Sequence, residues 1–200
     1  QTVYAGDSIT LGETFSTGSA SNYNATLACT GNATALTGTT LTVNPADTAI
    51  TCSYTNSRVA QQLSLAKQWQ NAVNGHTATA TTTGGSNNAT FSSTSTGNNS
   101  TNGSAVTVYA GDIITLPTET FGGGATAAQY NSALACVGGT PLASGAVARS
   151  ITISNSTTAT VCSYTNTRKS AILTLSKIWS SGSIAGNTVT VTSTGFANNA

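Results

Sequence analysis

An eighteen-residue stretch occurs twice in this chain, and its recurrence limits the fold more than any other feature. Cys52–Trp69 reads CSYTNSRVAQQLSLAKQW, and Cys162–Trp179 reads CSYTNTRKSAILTLSKIW. Ten of the eighteen positions are identical, among them the Cys, Tyr, Asn, Arg, Lys and Trp. Matches continue on both sides: Thr2–Phe15 with Thr107–Phe121, Tyr23–Cys29 with Tyr130–Cys136, and His76–Thr82 with Asn187–Ser193. The chain is thus nearly two copies of a unit of about 110 residues. Units repeated at that period usually build arrays and seldom carry one unique active site.

Within each unit the apolar residues alternate with polar ones. In Tyr23–Cys29 the residues Tyr23, Ala25, Leu27 and Cys29 share a face, and in Leu63–Trp69 the residues Leu63, Leu65, Lys67 and Trp69 do so. Ile50–Asn56, Thr160–Asn166, Ile172–Trp179, Leu41–Val43 and Ile151–Ile153 read as further strands, and Ala5-Gly6-Asp7 as a turn between two strands. Phe91–Ser104, rich in Ser, Thr, Gly and Asn, reads as a long surface loop or a solvated edge strand. No stretch longer than about ten residues combines helical periodicity with caps. The expectation is all-β, with a sandwich favoured over a barrel.

The four cysteines fall one pair per unit, Cys29 with Cys52 and Cys136 with Cys162. A disulfide in each unit is the direct reading and implies an oxidising, extracytoplasmic setting; four buried thiols are the alternative. A metal site is not expected, because CxxC spacing is absent and the one histidine, His76, stands opposite Asn187 in the other copy. No apolar run is long enough to span a bilayer. A net charge of +1 offers no footprint for nucleic acid. No cofactor motif and no nucleophile–base–acid set appears, so an enzyme is not expected. No signal peptide is visible, and Gln1 reads as the start of a mature or excised segment.

Charged residues make up only 6% of the chain, so those that recur are expected to hold defined places. They are Asp7/Asp112, Glu13/Glu119, Arg58/Arg168 and Lys67/Lys177. Lys67 shares its face with Leu63, Leu65 and Trp69, and a lysine on a core face must be paired, neutral or chemically altered.

The order LSLAKQW, ITLPTETF, CSYTNTR resembles the SpaA/Cna B-type (prealbumin-like, Ig-like) domains of bacterial surface proteins. It is nearer to the Cys-containing versions repeated in large surface proteins of Gram-negative bacteria. The resemblance covers essentially the whole chain, through motifs that are individually short. It implies tandem Ig-like β-sandwich domains. It also implies that a Lys on the first strand bonds covalently to an Asn on the last, with a Glu between them in sequence promoting the reaction. The matching residues are Lys67, Glu119 and Asn166. Burial lowers a lysine pKa toward the nucleophilic free amine, and a carboxylic acid can relay the protons. The other reading is a buried Lys–Glu ion pair with Asn as a hydrogen-bond partner.

That phase divides the chain into residues 1–58, the C-terminal part of a first repeat; 59–168, a complete second repeat; and 169–200, the opening strands of a further one. The first part holds Glu13 and Asn56 without a preceding Lys. The last holds Lys177 without a following Glu or Asn. Thr194–Ala200 runs parallel to Thr83–Ala89. The two fragments are complementary, so residues 169–200 could complete residues 1–58 of a neighbour by strand addition. The partners expected are copies of the chain placed head to tail, or adjacent repeats of a longer chain. The functional expectation is an extracellular or cell-surface structural repeat protein: a stalk, adhesin shaft or filament. The alternative is an adhesive module that recognises a surface ligand through Ser/Asn-rich loops such as Thr90–Ser104.

Overall fold

The computed structural model describes residues 1–142 and 149–195. Its strands are β1 (Ser8–Thr10), β2 (Tyr23–Thr30), β3 (Thr40–Thr42), β4 (Thr51–Arg58), β5 (Ala60–Gln70), β6 (Thr77–Thr81) and β7 (Thr90–Thr94). They continue with β8 (Asn99–Asn102), β9 (Val106–Tyr109), β10 (Ile113–Thr115), β11 (Thr120–Gly122), β12 (Tyr130–Gly138), β13 (Ser150–Thr152) and β14 (Thr160–Arg168). Apart from two three-residue 3-10 turns, at Ala20–Asn22 and Ala127–Gln129, the regular structure of the described residues is all strand.

The organising strand is β5. Its alternate residues Gln61, Leu63, Leu65, Lys67 and Trp69 are all buried, as the period of two requires when one face lies against a core. On one side β5 pairs in parallel with β14, and β14 pairs antiparallel with β12. On its other side β8 and β9 pair antiparallel with successive lengths of it. Strands β11, β6 and β7 form a second, antiparallel sheet, and β10 pairs with β13. Leu63, Leu65, Trp69, Phe91, Ile114, Leu134, Ile151 and Tyr164 meet in one core drawn from these sheets, the arrangement of a β-sandwich.

Residues 1–58 make two separate pairs, β1 with β3 and β2 with β4. The strand expected before the Ala5-Gly6-Asp7 turn is not formed. Its aligned counterpart β9 lies on β5, and residues 1–58 contain no equivalent of β5. The strand expected at Ile172–Trp179 is also absent, and Asn187–Ser193 forms none although the matching His76–Thr82 contains β6: Lys169–Gly195 is exposed throughout and carries no strand. A strand is a paired object, and these segments have the alternation but no ladder to join. Of the Thr194–Ala200 alignment, residues 196–200 lie outside the described residues.

The Ser/Thr-rich run after Ala89 is more structured than a surface loop. Strands β7 and β8 each form the edge of a sheet, and Phe91, Ser93 and Ser95 face inward. Only Val59 separates β4 from β5. Val59 is buried, donates its N–H to the Asn22 carbonyl and accepts from the Ala110 N–H.

Candidate functional site

Lys67 is wholly buried. Position 67 on β5 must face the core once Leu65 and Trp69 do, so its ammonium needs partners there. Its Nζ lies 3.1 Å from Glu119 Oε1, donates to the Tyr164 and Gln68 carbonyls at 3.2 Å each, and sits 4.3 Å from the Trp69 ring centroid. Glu119 reaches in from the connection between β10 and β11, with a side chain 4% exposed. Asn166 on β14 is fully buried and donates through Nδ2 to the same Glu119 oxygen at 3.2 Å. Thus the parallel β5–β14 pairing and the β10–β11 connection place Lys67, Glu119 and Asn166 around one carboxylate oxygen. Asn166 Oδ1 is buried and accepts no hydrogen bond. Burial lowers the Lys67 pKa to about 8, against the opposing pull of Glu119.

The second set is split. Glu13 and Asn56 are together, Asn56 Nδ2 donating to Glu13 Oε1 at 2.7 Å, but both are exposed. Lys177 is elsewhere, exposed on the strandless tail. It keeps the local habits of Lys67: it donates to the next residue's carbonyl, Ile178, at 2.8 Å and lies 4.5 Å from the Trp179 ring. The aromatic neighbours are divided in the same way. Trp69 packs edge-on against Phe121 and Tyr130, which stack on each other. Phe15 and Tyr23 already pair at 5.3 Å. Beside β1 and β3 lies a groove of about 590 Å³, lined by Val3, Ile9, Leu11, Leu41, Ile50 and Cys52 among others.

Cys29–Cys52 and Cys136–Cys162 are disulfides, each joining directly opposed positions of adjacent antiparallel strands, β2 with β4 and β12 with β14. They are compatible with an oxidising environment. Among the described residues, no group of three or more His, Cys, Asp or Glu is placed to hold a metal ion, and no helix is long and apolar enough to cross a membrane.

Two sets of residues were not assigned a role from sequence. Gln61, also buried on β5, accepts from Thr140 and Thr160 hydroxyls and donates to the Ser156 carbonyl, fastening the far end of the strand. Its alternation with Leu63 was the available signal. Arg58 donates through Nη2 to Asp112 Oδ1 at 2.6 Å and to the Ala110 carbonyl at 2.8 Å, and stacks on Tyr109. This ties β4 to the turn between β9 and β10; recurrence had singled out Arg58 and Asp112 but not their contact. Asp112 also accepts the Tyr109 and Ser86 N–H groups. Burial alone would raise its pKa, but these hydrogen bonds overcome it and hold the group at about 2.

No known protein family and no curated protein matches this chain in sequence.

Proposed function

We propose that this is a structural extracellular repeat protein. It forms a stalk, adhesin shaft or filament from head-to-tail Ig-like modules, with residues 169–195 completing a module like residues 1–58 in the next copy of the chain or in an adjacent repeat of a longer one. One observation carries the reading. Residues 1–58 contain no equivalent of β5, whereas residues 169–195 carry the sequence that aligns with β5 and form no strand with it. The tail exposes Ile172, Leu173, Leu175, Ile178 and Trp179. The β5–β14 register, carried over at a spacing of 110, sets Leu175 beside Cys52, Lys177 beside Tyr54 and Trp179 beside Asn56. Apolar segments of this length rarely stay bare in water, and a strand formed by one on a partner satisfies the open β4 edge at the same time. In the run Thr90–Asn102, Phe91, Ser93 and Ser95 are spent on the module's own core. That supports a structural role over ligand recognition by this segment.

Lys67 and Asn166 are set for an amide cross-link, or for the buried ion-pair network that the same atoms form without one. In the covalent case the neutral Lys67 Nζ attacks Asn166 Cγ. The new C–N bond replaces the bond to Nδ2, which leaves as ammonia after Glu119 passes it the lysine proton. Intact mass under non-reducing conditions decides this: the amide removes one ammonia, about 17 Da, per closed module. Electron microscopy of the purified chain tests the assembly. Linear filaments are expected, and Leu175→Asp, on an exposed residue of the strandless tail, abolishes them. Filaments that persist unchanged in Leu175→Asp overturn strand complementation.

A further inference from the structure

We infer that Arg168 of one copy clamps the Tyr4–Asp7 turn of the next, reproducing between chains the junction that Arg58 makes within one. This rests on the head-to-tail reading above and adds a contact that strand insertion does not need.

The junction within the chain has three components. Arg58 donates to Ala110 O and Asp112 Oδ1 and stacks on Tyr109. The Ala110 N–H donates to Val59 O at 2.8 Å. The Asn22 side chain lies against Gly111, where a Cβ would meet its amide nitrogen at 2.5 Å. Gly111 also has a φ of +86°, so the site admits glycine on both counts.

Each component has a counterpart with one half missing. The Tyr4–Asp7 turn is already built in the same form. Asp7 N–H donates to Tyr4 O at 3.0 Å, Tyr4 N–H to Asp7 Oδ2 at 2.8 Å, and Gly6 N–H to Val43 O at 2.9 Å. The matching bonds of the other turn are Asp112 to Tyr109, Tyr109 to Asp112, and Gly111 to Ile153. Gly6 has a φ of +94°, yet nothing stands within 4 Å of its Cβ position. Tyr4 is 72% exposed, although its counterpart Tyr109 is half-buried beneath Arg58. At the other end, Lys169 N–H donates to Gln129 O at 2.9 Å, just as Val59 N–H donates to Asn22 O. Arg168 is therefore launched from the same local frame as Arg58, and among the described residues it forms no salt bridge.

The occupant of the turn is a second copy of this chain. Its Arg168 guanidinium pairs with Asp7, donates to the Ala5 carbonyl and covers Tyr4. Its Lys169 carbonyl takes the Ala5 N–H, and its Gln129 side chain covers Gly6. The preformed turn lowers the cost of this contact, since the accepting side need not be ordered first. It also makes the spacing and rotation from module to module the same across a chain boundary as within a chain.

The test measures the critical concentration for assembly by light scattering, with module spacing read from electron micrographs. The full-length chain is used throughout, and circular dichroism verifies each variant's fold. Arg168→Ala and Asp7→Asn are each expected to raise the critical concentration about tenfold, and the double variant little further. Asn at position 7 keeps an acceptor for the Tyr4 N–H, so that variant tests charge rather than turn folding. Arg168→Asp combined with Asp7→Arg is expected to recover part of the loss. Leu175→Asp serves as the reference. If Leu175→Asp abolishes assembly while both clamp variants match the unaltered chain, the clamp is overturned and strand complementation stands. If the unaltered chain does not assemble, or Leu175→Asp has no effect, the underlying reading fails and takes the clamp with it.

Discussion

Residues 1–58 and 59–168 carry the same motifs and the same type of disulfide, yet only the second forms a closed core. Leu134, Tyr164 and Asn166 are buried in the one, whereas their counterparts Leu27, Tyr54 and Asn56 are half-buried or exposed in the other. The turns, the cross-strand disulfide and the Glu–Asn hydrogen bond form in both. The contrast separates what is local from what needs β5. A turn or a two-strand ladder forms from its own residues. Burial, and with it the energetic weight of each polar contact, waits for the central strand.

The largest test of that contrast is at the carboxylates. Glu119→Ala leaves Lys67 buried without its counter-charge and is expected to cost about 3–5 kcal/mol in denaturant melts. The same change at exposed Glu13 should cost well under about 1 kcal/mol. Equal effects would show that burial is not what distinguishes the two sites. Next is the Cys136–Cys162 bridge. It closes a loop with a sequence separation of 26, and Cys136→Ala with Cys162→Ala should lower stability by about 3 kcal/mol. Losing Cys29–Cys52 should leave the main unfolding transition nearly unmoved, because the closed core lies elsewhere.

A smaller effect is read from pH. Because burial lowers the Lys67 pKa from 10.5 to about 8, the unfolded chain holds more protons than the folded one between those values. Stability therefore rises as pH climbs from about 8 toward 10.5. Absence of that rise in urea melts would mean the amine no longer titrates, as an amide bond to Asn166 requires. Asp112 gives a limb of the same sign in acid: its depressed pKa contributes stability above its ordinary 3.8 that fades as pH falls toward 2. Arg58→Ala should flatten that limb, and an unaltered slope would remove Arg58 from the account. Smallest in cost but sharpest in location is amide exchange along Thr51–Arg58. A peptide of residues 170–193, added to the Leu175→Asp chain, should slow exchange there without changing β12 or β14.

Much of this was legible in residues. The alternation of Leu63, Leu65, Lys67 and Trp69 shows which face of β5 turns inward. The grouping of Lys67 with Glu119 and Asn166 came from the resemblance to SpaA/Cna B-type domains, since recurrence singles out residues without saying which of them meet. The parallel β5–β14 partnership was not legible, because alternation tells which face a strand buries and not which strand lies beside it. The inward face of β7 and the residues after it was missed because Ser93 and Ser95 look solvent-facing by type. They are tolerated inside because their hydroxyls are bonded, Ser93 accepting from the Trp69 indole at 3.0 Å and Ser95 from the Gly97 N–H. The tail shows the opposite limit: alternation led to a strand at Ile172–Trp179 that is not formed, because a pattern supplies no partner.

Val59 gives the molecule a mechanical character. With one buried residue between β4 and β5, tension applied along β4 would pass straight into β5, the central strand of the closed core. No slack segment absorbs it. A string built on that connection would behave as a stiff rod of low compliance, yielding only when hydrogen-bonded strands shear past one another.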